Sequence, residues 1–327
     1  MYIVTGGAGF IGSAMIWKLN SMGIENILVV DNLACSEKWK NLVNRRYAEY
    51  MHRDAFIELV VNDTLEDAVG GEISGIIHMG ACSSTTERDA DFLMRNNLAY
   101  SKALCLYSIR KKIRFINASS ASTYGNGDLG FDDNLDALND LKPLNMYGYS
   151  KHLFDLWARG NGYFDRIASL KFFNVYGPNE QHKEDMRSVV NKAFHQIKTS
   201  GVMRLFRSGH PDYPDGGQMR DFVYVKDCVD IMWWLLENRR AGGLFNIGTG
   251  QARTWNDLAT AVFTAMDRPA HIEYIDMPEQ LQGKYQYFTE ARMERLAAAG
   301  YTAPMHTLEQ GVEDYVKYYL LAPDPYL

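Results

Sequence analysis

The 327-residue sequence lacks three features that would each point to a particular class of protein. It has only four cysteines and no CxxC pair, so we expect no disulfide framework, no metal site and a reducing, cytoplasmic setting. It has no basic run, and its net charge of −6 argues against nucleic-acid binding. No apolar run reaches membrane-spanning length, and an apolar strand pattern begins at residue 2, so we expect neither a signal peptide nor a membrane partner.

The N-terminus contains a glycine-rich turn between a strand pattern and a helix pattern. After an apolar run come three evenly spaced glycines and an amphipathic stretch: Gly6, Gly9 and Gly12, then Ile16, Leu19 and Met22 on one face. Glycine lets the backbone approach a ligand closely, and the N–H groups of a helix N-terminus suit a pyrophosphate. A turn without a ligand is the alternative. However, the next apolar run ends in Asp31, where an acidic residue binds a ribose hydroxyl. The sequence therefore predicts a dinucleotide site.

The residues after this second strand pattern bear on which dinucleotide is bound. Asp31 alone favours NAD, because its carboxylate repels a 2′-phosphate. Asn32, Lys38 and Arg53 can offset that repulsion by binding the phosphate. The alternative for Lys38 is a solvated loop lysine.

Apolar runs alternate with helical patterns along the first half of the chain, which predicts an α/β protein with a Rossmann-type, doubly wound and mostly parallel sheet over residues 1–173. Residues 174–327 predict a smaller C-terminal substrate-binding α/β domain, with 222–251 returning to the main sheet. We expect strands at 26–31, 59–61, 75–81, 113–118, 168–173, 202–206, 222–225, 244–247 and 271–275. We expect helices at 91–111, 143–160, 186–199, 226–239, 254–267 and 307–321.

Candidate catalytic residues follow the predicted strand at 113–118 and open the next helix. Ser120 lies in a serine-rich segment at the C-terminal end of a strand pattern, where sites gather in open α/β sheets. Tyr147 and Lys151 are four residues apart and share one helix face. A nearby ammonium lowers the pKa of a phenol, which makes the tyrosine a usable base, while the serine can hold the substrate oxygen. A core tyrosine with a surface lysine is the alternative for this spacing.

The Pro- and Gly-rich segment 207–219 precedes Arg220. The segment is compatible with a loop that holds the substrate (a substrate clamp) and equally with a surface loop that has no function.

Several motifs together resemble the extended short-chain dehydrogenase/reductases that act on nucleotide sugars, and among them the ADP-heptose 6-epimerases. The general motifs are Thr5-Gly-x-x-Gly-x-x-Gly12, Tyr147-x-x-x-Lys151, Asn174-Val-Tyr-Gly-Pro178 and Arg220-Asp-Phe-Val-Tyr-Val225. The more specific ones are Gly80-Ala-Cys-Ser-Ser-Thr-Thr-Glu87, His182-Lys183, Phe245-Asn-Ile-Gly-Thr-Gly250 and Gly283-Lys-Tyr-Gln286. The resemblance covers nearly the whole chain.

The resemblance implies an epimerase with tightly bound NADP (NAD being less favoured) that oxidises and re-reduces C6″ of ADP-heptose. It implies that Tyr147 takes the proton from the C6″ hydroxyl and that Ser120 and Lys151 are catalytic residues beside it. It also implies that Lys183 is a second acid/base. The cofactor-binding positions that it implies are Gly6, Gly9, Phe10, Ile11, Gly12, Asp31, Asn32, Lys38, Arg53, Met79, Gly80, Ala81, Cys82, Ser83, Asn96 and Lys151. The substrate-binding positions are Asn174, Val175, Asp185, Lys192, Phe206, Arg220 and Tyr285, with Arg220 on the pyrophosphate. It also implies a homo-oligomer in the cytoplasm.

Two further functions are compatible with this scaffold. The first is another nucleotide-sugar enzyme, a UDP-hexose 4-epimerase or a 4,6-dehydratase. Dehydratases of the family carry an Asp-Glu pair after the active-site threonine, whereas here Tyr124-Gly125 follows Thr123. The second is a dinucleotide-binding regulator without activity, which the joint presence of Ser120, Tyr147 and Lys151 argues against.

Overall fold

The structure, a computed structural model, describes residues 1–278 and 285–327. The strands in these residues are β1 (Tyr2–Thr5), β2 (Ile27–Asp31), β3 (Glu49–His52), β4 (Gly75–His78), β5 (Arg114–Ser120), β6 (Ile167–Phe172), β7 (Asn174–Tyr176), β8 (Met203–Phe206), β9 (Met219–Tyr224), β10 (Gly243–Ile247), β11 (Ala252–Thr254) and β12 (Ile272–Ile275).

The α-helices in the described residues are α1 (Phe10–Ser21), α2 (Arg53–Val61), α3 (Leu65–Val69), α4 (Ala90–Leu93), α5 (Tyr100–Lys111), α6 (Met146–Gly160), α7 (Val189–Ser200), α8 (Val225–Glu237), α9 (Trp255–Ala265), α10 (Glu294–Ala298) and α11 (Leu308–Tyr315). A π-helical segment at Met94–Ala99 joins α4 to α5, and a second one at Val316–Leu320 continues α11. The predicted helix at 91–111 is therefore continuous but contains a wider turn.

Seven parallel strands form the main sheet in the order β10-β6-β5-β4-β1-β2-β3. The order reverses direction between β1 and β4, which is the switch point at which doubly wound sheets bind ligands. Strands β2, β6 and β10 are buried along their whole length, as expected for a parallel sheet covered by helices on both faces. The predicted fold class is confirmed.

The later part of the chain divides between the main sheet and smaller sheets. Strand β10 pairs with β6, and α8 packs against α1, so both belong to the main layer. Strand β9 instead lies between β7 and β11 in a three-stranded sheet, and β8 pairs with β12. Only part of 222–251 thus reaches the main sheet, and the domain boundary itself stays a prediction.

Two local predictions were wrong. The segment 59–61 is not a strand, because α2 extends to Val61 and buries Phe56 and Val60 one turn apart, while Val61 is 69% exposed. The third strand of that edge is β3, which has no apolar run and pairs with β2. Met22 follows the end of α1 and is exposed, so only the earlier apolar residues of that stretch, Ile16 and Leu19, face the core.

Three further observations concern the cysteines, metal ligands and membrane spans of the described residues. All four cysteines are free. Within 1–278 and 285–327, no three His, Cys, Asp or Glu side chains are grouped as metal ligands would be. None of the helices in those ranges combines the length and the apolar character needed to cross a bilayer.

Candidate active site

A cleft of about 740 Å³ lies at the C-terminal ends of the main-sheet strands and runs across the switch point. It brings together predicted residues from distant parts of the chain. Among its lining residues are Gly6, Gly9, Phe10, Ile11, Gly12, Asp31, Asn32, Lys38, Arg53, Met79, Gly80, Ala81, Ser83, Asn96, Ser120, Tyr147, Lys151, Asn174, Val175 and Lys183.

The glycine turn at the floor of the cleft is built so tightly that side chains are excluded. Gly6 has φ +64°, and a Cβ placed on it would lie 2.6 Å from the backbone nitrogen of Gly80. A Cβ on Gly12 would lie 2.1 Å from the carbonyl oxygen of Gly6. No side chain caps the N-terminus of α1 and its first turn holds no acidic residue, which leaves its N–H groups and positive end available to a pyrophosphate.

Asp31 anchors the other end of the predicted dinucleotide site. Its carboxylate accepts hydrogen bonds from the backbone N–H groups of Ala8 (2.8 Å) and Asn32 (2.7 Å). Lys38 forms an ion pair with the same carboxylate at 2.7 Å. The lysine therefore neutralises the charge that would repel a 2′-phosphate, and its ammonium stays in the cleft wall. This turn and this charge pair fit a nicotinamide dinucleotide.

Two further predicted cofactor residues meet on the adjacent wall. Arg53 is the first residue of α2 and donates a hydrogen bond to the amide oxygen of Asn96. The Arg53 Nε group is buried and forms an ion pair with Oδ1 of Asp54 at 3.4 Å. Tyr100 closes this wall by donating to the Arg53 carbonyl oxygen at 3.1 Å. An arginine in the same cleft lining as Asp31 fits a phosphate-bearing ribose.

Helix α6 delivers Tyr147 and Lys151 to the centre of the cleft. The Asn145 side chain starts this helix by accepting a hydrogen bond from the Gly148 N–H at 2.8 Å. Tyr147 is hydrogen-bonded to Ser120 at the end of β5. Lys151 donates to the carbonyl oxygen of Ala118 at 2.7 Å and is only 3% exposed. The predicted Ser120, Tyr147 and Lys151 thus share one wall of the cleft.

The pKa of Tyr147 differs from the expectation. Burial raises it, while the hydrogen bond with Ser120 acts in the lowering direction. The ammonium of Lys151, one turn further along α6, is directed to the Ala118 carbonyl. Burial also lowers the pKa of Lys151 to about 8, so the lysine titrates near physiological pH.

Lys183 lies on a loop, residues 181–187, that follows Glu180. The residue after the loop, Ser188, is hydrogen-bonded to the buried Glu180 carboxylate. Glu180 is fully buried and accepts hydrogen bonds from the Gly177 N–H (3.5 Å) and from the N–H and hydroxyl groups of Ser188, the latter at 2.6 Å. The segment 181–187 is thereby closed at its base. Lys183 rests 5.4 Å from the centre of the Phe10 ring, and burial lowers its pKa. A second proton-carrying side chain therefore faces the same cleft as Tyr147.

Asn41 joins this loop to the glycine turn. Its fully buried side-chain amide donates to the carbonyl oxygens of Ala8 (2.8 Å) and Asn179 (3.1 Å). The same nitrogen is 3.1 Å from Nδ1 of His182. One amide thus ties together segments that are more than a hundred residues apart in sequence.

Six predicted residues are not among those that line the cleft. Arg220 stacks on the rings of Trp255 (5.7 Å) and Tyr285 (5.3 Å), and both of its terminal nitrogens donate to backbone carbonyls. Lys192 donates to the backbone carbonyl of Asp185 at 2.5 Å on the outer side of the loop. The others are Cys82, held through its N–H by Asn97, and Phe206 in β8. Their roles stay predictions, and Gly283 and Lys284 lie outside the described residues.

Two of the cleft-wall side chains that the sequence interpretation missed make specific contacts. Trp255 lines the cleft and donates from its indole to the Tyr285 hydroxyl at 2.8 Å. Its position at the start of α9 carries a capping signal, Thr254 with Asp257, but nothing that distinguishes a site residue from a core one. His182 was noted only as part of a motif; burial lowers its pKa to about 4, so it is neutral beside Lys183.

Comparison with known proteins places this geometry in a family. A family model described as the NAD dependent epimerase/dehydratase family matches residues 2–248. An ADP-L-glycero-D-manno-heptose-6-epimerase of Nitratidesulfovibrio vulgaris (strain DP4) is 67% identical over 327 residues, which are 100% of both chains. One of Fusobacterium nucleatum is 49% identical over 336 residues, again covering 100% of both.

A solved structure agrees with the sequence relatives. The crystal structure of the ADP-L-glycero-D-manno-heptose-6-epimerase of Helicobacter pylori superposes with a TM-score of 0.80 at 27% identity, covering 97% of this chain and 95% of that one. The family match extends from the glycine turn through the Tyr147–Lys151 helix to the last strand of the main sheet. Because the match covers both the main sheet and the residues that form the cleft, the chain belongs to the NAD dependent epimerase/dehydratase family.

Proposed function

We propose that this protein is a 6-epimerase of ADP-glycero-manno-heptose that works with bound NADP. The observation that carries the proposal is that two separate acid/base candidates, Tyr147 and Lys183, face one cleft from different elements. Full-length relatives of 67% and 49% identity that bear this activity in their names support the substrate class. An epimerase benefits from two such groups, because the reacting oxygen changes position when the oxidised carbon turns its other face.

The dinucleotide supplies hydride acceptance and return at the substrate carbon. The residues of this chain handle the proton and the geometry. Tyr147, as phenolate, takes the proton of the substrate hydroxyl, and Ser120 holds that oxygen through its own hydroxyl. The ammonium of Lys151 stabilises the negative charge on this side of the cleft. Lys183 gives a proton to the oxygen in its second position.

Burial suits Lys183 to this second role. An ordinary lysine has a pKa near 10.4 and holds its proton too firmly to exchange it at neutral pH. Desolvation beside Phe10 lowers the pKa of Lys183, and Glu180 at the base of the loop limits the shift. General acids work best when their pKa lies near the working pH.

The choice of NADP over NAD rests on the cationic end of the cleft. Lys38 neutralises Asp31, and Arg53 lines the same cleft, so a 2′-phosphate meets two cations there. Four free cysteines support a reducing, cytoplasmic setting. A homo-oligomer is supported by apolar side chains on the surface of α5 and α6, with Leu106 and Tyr149 each 44% exposed.

The test is conversion of one ADP-heptose epimer to the other by the purified protein without added cofactor. Tyr147→Phe should lower the rate on the order of 10²–10⁴-fold. Tyr149→Phe is the matched control, because Tyr149 lies on the same helix and is exposed, and it should keep full activity. Turnover of UDP-hexoses with none of ADP-heptose would contradict the proposed substrate. Mass analysis of the cofactor released on denaturation decides between NADP and NAD.

A further inference from the structure

Asn179 is a fully buried polar residue at the base of the Lys183 loop, and the proposed reaction does not use it. It is 0% exposed and is not among the residues that line the cleft. Its backbone has φ +77°, a left-handed conformation that asparagine tolerates better than most residues. A buried amide is stable only where its hydrogen bonds are made, so its partners indicate what it holds in place.

The neighbours of Asn179 determine which way its side-chain amide points. The nitrogen donates to the Ser13 hydroxyl oxygen at 2.9 Å, and Ser13 gives its own proton to the Phe10 carbonyl oxygen at 3.1 Å. The side-chain oxygen of Asn179 accepts from the backbone N–H of Leu327 at 2.9 Å. Since the Ser13 proton is already used and the Leu327 N–H can only donate, the amide fits in one orientation only.

These contacts join the base of the Lys183 loop to the first turn of α1. Ser13 is fully buried in α1, three residues after Phe10. The Lys183 ammonium rests on the Phe10 ring, 5.4 Å from its centre. On the other side, the Lys183 N–H donates to the carbonyl oxygen of Glu180 at 3.0 Å, and Glu180 follows Asn179 directly. The contacts thus form a closed ring that begins and ends at Asn179, with Lys183 on its opposite side.

The backbone beside Lys183 needs support from both ends of the loop. Glu184 has φ +47° and ψ −120°, a region that residues with a side chain seldom occupy. Strained backbone of this kind persists only where the surrounding structure holds it. Ser188 fixes the far end of the loop to the Glu180 carboxylate. The side chain of Asn179 fixes the near end to α1.

We propose that Asn179 is a positioning residue that fixes the place of Lys183 by holding the base of its loop against α1. Asn179 acts through the ring of contacts and does not touch the reacting atoms. The inference rests on the proposed function only for its kinetic consequence. An acid/base group must be held to within about 0.5 Å of its productive place, and a misplacement of about 1 Å lowers a rate about a hundredfold.

Two substitutions break the same contact from its two sides. Asn179→Gly removes the side chain and keeps the left-handed backbone, which glycine adopts freely. Ser13→Ala removes the hydroxyl on α1 that accepts from Asn179. Ser21→Ala is the matched control for Ser13→Ala. Ser21 lies on the same helix and also donates to the carbonyl oxygen three residues before it, that of Lys18 at 2.7 Å, but it is exposed.

The first measurement follows the loop itself by hydrogen–deuterium exchange in the full-length protein. Exchange at residues 181–187 should become roughly tenfold faster in Asn179→Gly and in Ser13→Ala, the factor that corresponds to loss of one hydrogen bond. Exchange in α6 should keep its wild-type rate in both variants, and Ser21→Ala should match the wild type in both segments. Unchanged exchange at 181–187 overturns the inference. Faster exchange throughout the protein overturns it as well, because it indicates general destabilisation.

The second measurement asks whether Asn179 acts through Lys183. In the ADP-heptose assay, Asn179→Gly should lower kcat about ten- to a hundredfold, with KM and nucleotide content unchanged. Lys183→Met removes the group that is positioned, so adding Asn179→Gly to it should cause no further loss of kcat. Losses that multiply in the double variant would show that Asn179 acts independently of Lys183, which overturns the inference.

The two measurements separate this inference from the proposed function. If the wild type does not turn over ADP-heptose, the proposed substrate is refuted, while the exchange rates still decide whether Asn179 fixes the loop. Should Asn179→Gly not fold, Ser13→Ala takes its place in both measurements, because it removes the same hydrogen bond from the side of α1.

Discussion

Replacing Gly6 by alanine tests whether the glycine turn is required for steric reasons. The residue has φ +64°, and a left-handed conformation costs an L-residue about 1–2 kcal/mol. The new Cβ would also lie 2.6 Å from the nitrogen and 2.7 Å from the Cα of Gly80. These are backbone atoms that cannot rotate away, and overpacking of this kind costs about 1–3 kcal/mol. We expect Gly6→Ala to destabilise the protein by about 2–5 kcal/mol.

Gly23→Ala is the matched control for this substitution. Gly23 has φ +77°, but a Cβ there would meet nothing within 4 Å. Both variants have the cost of a left-handed backbone conformation and the same change in the entropy of the unfolded chain. The difference between their free energies of unfolding therefore gives the steric cost alone, about 1–3 kcal/mol.

The assay is urea unfolding of both variants, together with the amount of nucleotide that remains bound after purification. The Gly6 variant should be the less stable of the two and should lose its nucleotide, because relief of the contact moves the turn away from Gly80. The Gly23 variant should keep its nucleotide. Equal stabilities, or full nucleotide content in Gly6→Ala, would refute the steric argument.

Three other predictions follow from single contacts. Lys38→Met leaves Asp31 unneutralised, and loss of a charge-assisted bond of about 1.5–3 kcal/mol should weaken NADP binding at least tenfold while sparing NAD, as calorimetry would show. The pKa of His78 is lowered by burial to about 3, below the unfolded value, so stability falls as the pH drops from 6.5; the urea midpoint should fall less steeply in His78→Gln. Trp255→Phe removes the 2.8 Å bond to Tyr285 and should raise KM for the sugar nucleotide several-fold without changing nucleotide content.

The elements that were predicted correctly are those whose sequence pattern has one physical cause. Buried parallel strands such as β2 and β6 are continuous apolar runs, and the glycine spacing around Gly6 reflects a turn that admits no side chain. Strand β3 was missed because edge pairing with β2 fixes it and its residues, Glu49–His52, show no apolar pattern. Its neighbour α2 was misassigned because Val60 and Val61, both β-branched, favour strands until tertiary packing decides.

The site was predicted unevenly for a similar reason. Tyr147 and Lys151 share a helix face, so their proximity is already contained in the spacing. The relation of Lys183 to Phe10, and of Trp255 to Tyr285, arises only when distant segments fold together. The direction of the Tyr147 pKa shift could not be predicted from the sequence, because it depends on how deeply the phenol is buried. The direction of the Lys151 ammonium is likewise set by the Ala118 carbonyl on another element.

The side-chain amide of Asn41 adds to the free energy that is needed to open the cleft. For the Lys183 loop to swing outward, the contact from Asn41 to Nδ1 of His182 in that loop must break, and a buried polar group left unpaired costs about 1–3 kcal/mol. The open form is then outnumbered by roughly ten- to a hundredfold on this contact alone. The same nitrogen holds Ala8 in the glycine turn, so a change in that turn on nucleotide binding alters the cost of opening. The population of the open loop is thereby coupled to whether the nucleotide is in place.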